Sequence, residues 1–182
     1  MKNEDTRVQF TKARFHDAII ELLEQKPIGF VTIKELCDTA GLNRGTFYLH
    51  YAEPIDVLRE MEWALFDRIM VFKRGEQETL EQGFLRQIAA IEKERRLCSV
   101  VIGHNGDPQF LETVWEKAFS IVQDPMTGYG VDRERELFVF DFLFSAVTGS
   151  ITAWLGGKLP FSGEELAKML ARNCVSILNN NQ

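Results

Sequence analysis

The sequence is poor in residues that form disulfides and in residues that interrupt helices. It has three cysteines and five prolines in 182 residues, and Cys37, Cys98 and Cys174 lie far apart without a Cys-x-x-Cys pair. This pattern argues against a disulfide framework and against a zinc site. The first twenty residues carry charges throughout and lack the apolar run of a signal peptide. We therefore expect a reduced, cytoplasmic protein.

Basic charge is also scarce. The chain has 21 Lys and Arg against 27 Asp and Glu, a net charge of −6. Residues 1–58 alone carry seven basic and nine acidic side chains, a net charge of −2. Bulk charge therefore predicts little non-specific affinity for nucleic acid, and a nucleic-acid function must rest on a local motif.

Catalytic and phosphate-binding motifs are missing as well. The histidines, His16, His50 and His104, have no nucleophile or carboxylate in a recognisable arrangement. The glycine-containing segment 103–106 lacks the Lys-Ser/Thr pair of a P-loop. We expect no enzyme, no catalytic residue, no metal and no cofactor.

Helical periodicity runs through the whole chain instead. Apolar residues repeat at three and four positions, and no strand-like alternation occurs, which predicts an all-α fold. Three short helices in residues 1–58 form one predicted domain, and longer helices in residues 59–182 form a second. Phe30, just before the second helix, is predicted to be in the core.

Residues 32–51, TIKELCDTAGLNRGTFYLHY, predict two short helices joined by a tight turn. Thr32 and Glu35 have the spacing of a capping box at the start of the first helix. Gly41 suits a turn that needs positive φ, and Asn43 is a good cap for the second helix. Helix, glycine turn and helix is the pattern of a DNA-reading helix-turn-helix.

The second of these helices has distinct inner and outer faces. Phe47 and Tyr51, four residues apart, are predicted to point inward. The residues left on the outer face are polar, aromatic or small: Arg44, Gly45, Thr46, Tyr48 and His50.

The outer residues suit contact with a DNA duplex. Arg44 has the fork that binds guanine O6 and N7, and Thr46 carries a methyl group for thymine. Tyr48 and His50 are suited to phosphate contacts. Gly45 would let the DNA backbone approach closely. The alternative is an ordinary solvated helix face.

These residues also resemble a known family. The run VTIKELCDTAGLNRGTFYLHY, with an amphipathic helix before it and PIDVLREM after it, is similar to the amino-terminal domain of TetR-type transcriptional regulators. The resemblance implies phosphate contacts by Thr32, Tyr48 and His50, and base contacts from residues 44–46. Asn43, at the start of this helix, is a further candidate DNA-contacting residue.

The same resemblance bears on the basic residues around the motif. It implies that Arg7, Lys12 and Arg14 clamp phosphates; the alternative is that these charges at a helix start are simply solvated. Where the family usually has a lysine at the start of the fourth helix, this chain has Pro54. Lys34 or Lys12 would then replace that contact.

The carboxy-terminal half resembles one branch of the same family. AVTGSITAWLGGKLPFSGEELAKML is similar to the second domain of regulators like that of the dihydroxyacetone-kinase operon. The resemblance implies a twofold homodimer through the last two long helices, with Gly149 allowing close approach. Candidate interface residues are Phe144, Val147, Gly149, Ile151, Leu170, Cys174 and Ile177.

Residues 137–155 are long and apolar enough to raise the question of a membrane span. Several polar residues and the lack of an adjacent basic cluster favour a buried protein interface instead. Asp141 is the one charge in this stretch. It would hydrogen-bond across the dimer, recognise a polar ligand or point to solvent.

Aromatic residues of the second domain suggest a pocket for a small-molecule effector. Candidate lining residues are Trp63, Phe66, Met70, Phe84, Phe110, Trp115 and Phe119. Apolar residues at helical spacing are more often simple core, which is the competing interpretation.

Together these patterns predict a TetR-like homodimer that binds a palindromic double-stranded DNA operator. The family's habit favours a repressor, and a small-molecule effector or a protein co-regulator is a further candidate partner. No membrane association is expected. Two alternatives remain: a protein-interaction co-regulator with a vestigial helix-turn-helix, and a small all-α ligand-binding protein.

Overall fold

The computed structural model describes residues 2–69, 78–128, 130–132 and 134–180, and all regular structure in these residues is helical. The predicted all-α fold is confirmed. The helices are α1 (Lys2–Leu23), α2 (Ile33–Ala40), α3 (Arg44–Tyr48), α4 (Pro54–Ile69), α5 (Leu80–Lys93), α6 (Arg95–Val101), α7 (Pro108–Gly128), α8 (Glu136–Leu155) and α9 (Gly163–Asn179). A short 3-10 helix, Ile28–Phe30, precedes α2.

Local capping signals start several of these helices. Capping boxes formed by a hydroxyl residue and an acid or amide three positions later begin α2, α5 and α9. In each, the hydroxyl accepts the backbone N–H of the later residue, whose side chain accepts the backbone N–H of the cap. Gly41 ends α2 with φ 62° and ψ 35°, as the sequence predicted.

The chain divides into two compact units. The first contains Met1–Phe66 together with Arg96–Phe110, and the second contains Asp67–Arg95 together with Leu111–Gln182. The boundary predicted after residue 58 falls inside α4, so the first unit is larger than the predicted head. The assignment of separate functions to residues 1–58 and 59–182 stays a prediction.

The first unit is built around aromatic and branched side chains from α1 to α4. Phe15 and Phe47 are fully buried, and their rings meet edge to face with centroids 5.5 Å apart. Ile28 and Val31 are buried on either side of Phe30, which is 72% exposed. The prediction that Phe30 is in the core is therefore wrong, because the 3-10 helix turns Ile28 inward and Phe30 outward, and the chain after it buries Val31.

Residues 96–110, which we call the return segment, pack in the first unit although they follow α5 in the chain. The backbone N–H of Ile28 donates to the Asn105 carbonyl, and the Asn105 amide donates to the Leu23 carbonyl at 2.8 Å. Arg96 donates two hydrogen bonds to the Glu24 carboxylate. These contacts fasten the return segment to the end of α1.

The second unit has two apolar contacts among its long helices. Helix α5 packs along α9, with Ile88, Ile91, Leu166 and Leu170 buried. A second cluster joins α7, α8 and the end of α9; its buried members are Ala118, Val131, Val139, Phe140 and Leu178. Helix α8 contributes one face to this cluster.

Candidate nucleic-acid interface

Helix α3 has only five residues, so its orientation depends on its cap and its buried side chains. The Asn43 Oδ1 atom accepts hydrogen bonds from the Thr46 backbone N–H at 2.8 Å and from the Thr46 hydroxyl at 3.1 Å. Phe47 is fully buried and Tyr51 is 7% exposed. The predicted inward pair is thus in place, and Asn43 acts as a structural cap.

The outward side of α3 carries the predicted DNA-contacting residues. Arg44 and Gly45 are exposed, Tyr48 is 60% exposed, and Thr46 and His50 are half-buried. All five lie within one short stretch of chain that is held by the Asn43 cap and by the buried rings of Phe47 and Tyr51.

Leu49 was not among the predicted site residues, yet it is 79% exposed beside Tyr48. A large apolar side chain between two outward polar residues was the available signal. Apolar contact with a thymine methyl group is one use of such a side chain on DNA.

The start of α2 supplies further outward groups. Thr32 and Lys34 are exposed, and the Thr32 hydroxyl donates to the Glu35 carboxylate at 2.7 Å. Lys26 also donates to Glu35, at 2.6 Å. The Lys26 hydrogen bond and those of Thr32 lower the pKa of Glu35 to about 2. The negative charge at this helix start is therefore paired with a lysine.

Arg7 and Lys12, both on α1, have different surroundings. Arg7 is exposed. The Lys12 amine donates to both oxygens of Glu60, at 2.9 and 3.0 Å, and Glu60 also accepts the Tyr51 hydroxyl at 3.0 Å. Lys12 thus belongs to a network that joins α1 to α4, which removes it from the residues best placed to bind phosphate.

His16 lies at the edge of the same network, with its Nε2 atom 3.4 Å from the Tyr51 hydroxyl. Burial is the main cause that lowers the pKa of His16, although the Glu60 carboxylate opposes it. Burial likewise raises the pKa of Tyr51, and its hydrogen bond to Glu60 adds to the shift. Tyr51 therefore stays a neutral hydrogen-bond donor to Glu60 inside the first unit.

Pro54 begins α4, at the position where the resemblance implied a lysine in other members. The Asp56 carboxylate accepts the backbone N–H groups of Ala52 and Glu53 at 3.0 and 2.8 Å. These amides are therefore satisfied by an internal acid. This end of α4 is a poorer phosphate site than the sequence alone suggested.

The predicted pocket residues are divided between the two units, and Met70 lies outside the described residues. In the first unit, Trp63 and Phe66 meet edge to face at 6.3 Å, and Phe110 is 8% exposed. In the second unit, Phe84 is half-buried, and Trp115 stacks on Phe119 with centroids 5.5 Å apart. An effector pocket stays a prediction.

Helices α7 and α8 border an open groove of about 440 Å³ in the second unit. Its lining combines aromatic, aliphatic and acidic side chains: Leu111, Glu112, Trp115, Glu116, Asp141, Phe144 and Ser145. Asp141 is exposed, and its Oδ1 atom accepts the Trp115 indole N–H at 3.1 Å. This intrachain bond was not among the three roles left open for Asp141.

Helix α8 exposes an apolar face that the predicted interface residues only partly represent. Leu137, Phe138 and Phe142 are 58%, 71% and 51% exposed, and the rings of Phe138 and Phe142 stack. Gly149 is exposed on the same helix, and a Cβ atom there would meet nothing within 4 Å. We call this surface, formed by the exposed residues of α8, the α8 face.

The other predicted interface residues lie differently. Phe144 and Ile177 pack against the chain's own apolar cluster, whereas Val147 and Ile151 are half-buried. Leu170 and Cys174 are buried within the chain, with 6% and 7% exposed. These last two side chains are packed within the chain, and their place in a dimer interface stays a prediction.

Comparison with known proteins identifies the family. Residues 78–174, more than half of the chain, match the family described as the C-terminal region of TetR-type transcriptional regulators. This chain belongs to the TetR family. No curated protein matches it.

Two solved structures resemble this TetR-family regulator. A TetR transcriptional regulator from Streptococcus agalactiae is 23% identical, with a TM-score of 0.73 over 95% of this chain and 98% of that one. The fatty acid degradation regulator FadR from Bacillus halodurans is 12% identical, with a TM-score of 0.68 over 90% and 94%. At these identities the likeness supports the TetR fold and not a shared ligand.

Membership of the TetR family also bears on α8. Its 20 residues are long and apolar enough for a membrane span. TetR regulators are soluble proteins. A single helix of this kind is weak evidence for a membrane span.

Proposed function

We propose that this TetR-family regulator binds double-stranded DNA in a sequence-specific manner through α3, as a homodimer on a palindromic operator. The observation that carries the proposal is that α3 is held in place by its cap and its buried side chain while its outer face stays exposed. A five-residue helix has its inner residue Phe47 fully buried and its start capped by Asn43, while Arg44 and Tyr48 stay exposed. Such a rigidly held polar face suits insertion into the major groove.

The contacts divide into base reading and backbone positioning. Arg44 would read guanine, and Thr46 and Leu49 would contact thymine methyl groups. Phosphate contacts would come from the exposed or half-exposed polar groups around the motif: Arg7, Thr32, Lys34, Tyr48 and His50. Gly45 would allow the DNA backbone to approach.

The distribution of charged side chains in the first unit bears on DNA binding more directly than its net charge. Two of the acids of residues 1–58, Glu24 and Glu35, are paired with Arg96 and Lys26. Arg7, Lys34 and Arg44 are exposed cations on or near the motif. A phosphate at the motif would meet these cations first, so the distribution of charge matters more than its sum.

The α8 face supports the homodimer. It combines stacked, exposed phenylalanines with the exposed Gly149, so large side chains of one copy could pack against the small residue of the other. A twofold contact needs such a self-complementary surface. Burying it would remove from water the largest exposed side chains of this helix.

Repression is the direction of control that we infer, because a dimer seated on an operator obstructs a promoter. An effector or protein co-regulator would act by favouring a DNA-binding or non-binding form of the dimer. The groove beside Trp115 is one place where a ligand could exert such a preference.

The experiment that tests DNA binding is selection from a random duplex pool, using folded, dimeric protein at low and moderate salt. We expect a palindrome whose half-site centres are about one helical turn, or a multiple of it, apart. Failure to enrich any sequence at either salt concentration would overturn the proposal and favour the protein-interaction co-regulator.

Repression is tested separately with a reporter that carries the selected operator at its promoter. Production of the regulator should lower expression, and Arg44→Ala should restore it. A rise in expression would refute repression while leaving operator binding intact.

A further inference from the structure

Glu62, on the inner side of α4, is a buried acid without a full set of partners. It is 2% exposed, and its Oε1 atom is buried with no hydrogen-bond partner. A buried carboxylate in this position is costly unless it is paired or protonated. None of the DNA contacts proposed above involves Glu62.

The groups facing Glu62 do not neutralise it. The return segment presents Asp107, whose backbone N–H donates to the Glu62 carboxyl group and whose carboxylate carries a like charge. Arg59, one turn earlier on α4, is the nearby cation, but its Nε atom already donates to Asp107 Oδ2 at 2.9 Å. Among the described residues, these are the charged groups that act on Glu62.

Further hydrogen bonds hold Asp107 and Arg59 in the contact between α4 and the return segment. Its Oδ1 atom accepts the Gln109 backbone N–H at 3.0 Å, while Arg59 also donates to the Gln109 side chain at 3.2 Å. Both Asp107 carboxylate oxygens thus have partners, whereas Glu62 Oε1 has none, so the proton that relieves the repulsion belongs on Glu62. Burial, reinforced by the Asp107 charge, raises the pKa of Glu62 to about 8.

We propose that the contact between α4 and the return segment is a proton-linked clamp, closed by a protonated Glu62 and opened with release of that proton. The segment is held at Asn105 by its bonds to Leu23 and Ile28, so opening would free residues 107–110 from α4 while the Asn105 anchor stays in place. The clamp lies in the same compact unit as α3.

The direction of the pH dependence follows from linkage. Glu62 has a pKa of about 8 when the clamp is closed, and an ordinary value near 4.5 once it reaches water. Below 4.5 both forms hold the proton, so Glu62 contributes its full stabilisation and no pH dependence there. Between these values the open form loses its proton and the closed form keeps it, so closure weakens as pH rises, and above 8 the dependence ends.

Two other titrating groups of the first unit make the stability rise with pH, which is opposite to the effect of Glu62. Both the lowered pKa of Glu60 and the lowered pKa of His16 favour the folded state as pH rises. His16 titrates in a window that overlaps that of Glu62. The clamp must therefore be measured as a difference between the wild type and a variant.

The test is performed on the full chain, using amide hydrogen exchange at Asp107, Gln109 and Phe110 and the carboxyl-carbon NMR signal of Glu62. In the wild type, protection of these amides, corrected for intrinsic exchange, should fall about tenfold per pH unit from 5.5 to 7.5 and level off above 8. Glu62→Gln should remove this slope. Glu53→Gln, which changes an exposed acid just before α4, should retain it.

Several outcomes would overturn the clamp. One is a Glu62 signal that titrates near 4.5; another is a Glu62→Gln variant with the wild-type slope. A third is protection at Leu36 in α2 that falls in parallel, since this would mean global unfolding. If Glu62→Gln does not fold, Asp107→Asn must lower the midpoint of the Glu62 signal, because it removes the like charge and frees Arg59. An unchanged midpoint would refute the coupling.

Discussion

The outward faces of α3 and α8 differ in chemistry and in the way they are supported. Helix α3 has five residues and exposes Arg44 and Tyr48. Its position depends on the Asn43 cap and on the buried Phe47. Helix α8 has 20 residues and exposes Phe138 and Phe142. The polar face suits a charged, hydrated polymer, whereas the apolar face suits a second protein surface.

This difference also separates two kinds of mutational effect. Changing an exposed residue of α3 should alter binding to DNA without unfolding the chain. Changing an exposed residue of α8 should alter assembly, and through assembly the binding to a two-part operator. Making the same substitution at a predicted contact residue and at an exposed residue elsewhere therefore separates a specific effect from a general one.

The largest effect is expected from Phe142→Glu on the α8 face. Placing a charge in a buried apolar interface should weaken the dimer by about 2–4 kcal/mol, since aromatic anchors dominate such contacts. Sedimentation equilibrium should show monomers at concentrations where the wild type is dimeric. Operator affinity should fall with it.

Two variants serve as controls for Phe142→Glu. Phe10→Glu makes the same change at a 66% exposed phenylalanine on α1, and it should leave the dimer intact. Phe144→Ala should lower the urea midpoint of the chain, because Phe144 packs against the chain's own cluster. A dimer unaffected by Phe142→Glu would contradict the assignment of the α8 face.

An intermediate effect is expected from Arg44→Ala on α3. Loss of a forked contact to guanine should cost about 1–3 kcal/mol of specific binding, with unchanged thermal stability. Fluorescence anisotropy with the selected operator and a point-mutated operator measures both affinity and discrimination.

Arg7→Ala provides the matched comparison for Arg44→Ala. A phosphate contact should weaken binding to all duplexes equally and reduce the salt slope by about one. If Arg44→Ala behaves in this uniform way, Arg44 holds a phosphate and does not read a base.

The smallest effect is expected at Asn43, which caps α3 and is also exposed. Asn43→Ala should lower the free energy of unfolding by about 1 kcal/mol, because the first turn of α3 loses its cap. Asn43→Asp keeps a good cap and should retain stability, while its negative charge beside the DNA should weaken operator binding. Chemical denaturation and anisotropy separate the two effects; equal stability of all three proteins would argue against the cap.

Local features of the first unit were predictable because their cause is local. The Thr32–Glu35 box, the Gly41 turn and the Asn43 cap need only residues within a few positions of one another. Phe47 and Tyr51 were correctly assigned to the inside, since helical spacing determines which residues share a face.

Features that depend on residues distant in the chain were not predictable in the same way. The sequence suggested that Lys12 contacts phosphate, and it did not reveal that Glu60, 48 residues later, accepts a hydrogen bond from the Lys12 amine. Leu170 and Cys174 are buried in the chain itself, on the helix along which α5 packs. Helix α8 is apolar on so many sides that periodicity could not say which face the chain itself would bury.

The sequence by itself determined the helical fold, the caps and the polar face of α3, because spacing and side-chain chemistry over a few residues decide these. Only the tertiary structure showed which charged side chains pair with each other inside the chain and which face of α8 remains exposed. It also showed that the return segment packs in the first unit. It also placed Asp107 against Glu62, 45 positions earlier. Burial and charge pairing are sums over residues brought together by folding, and no local window of sequence contains them.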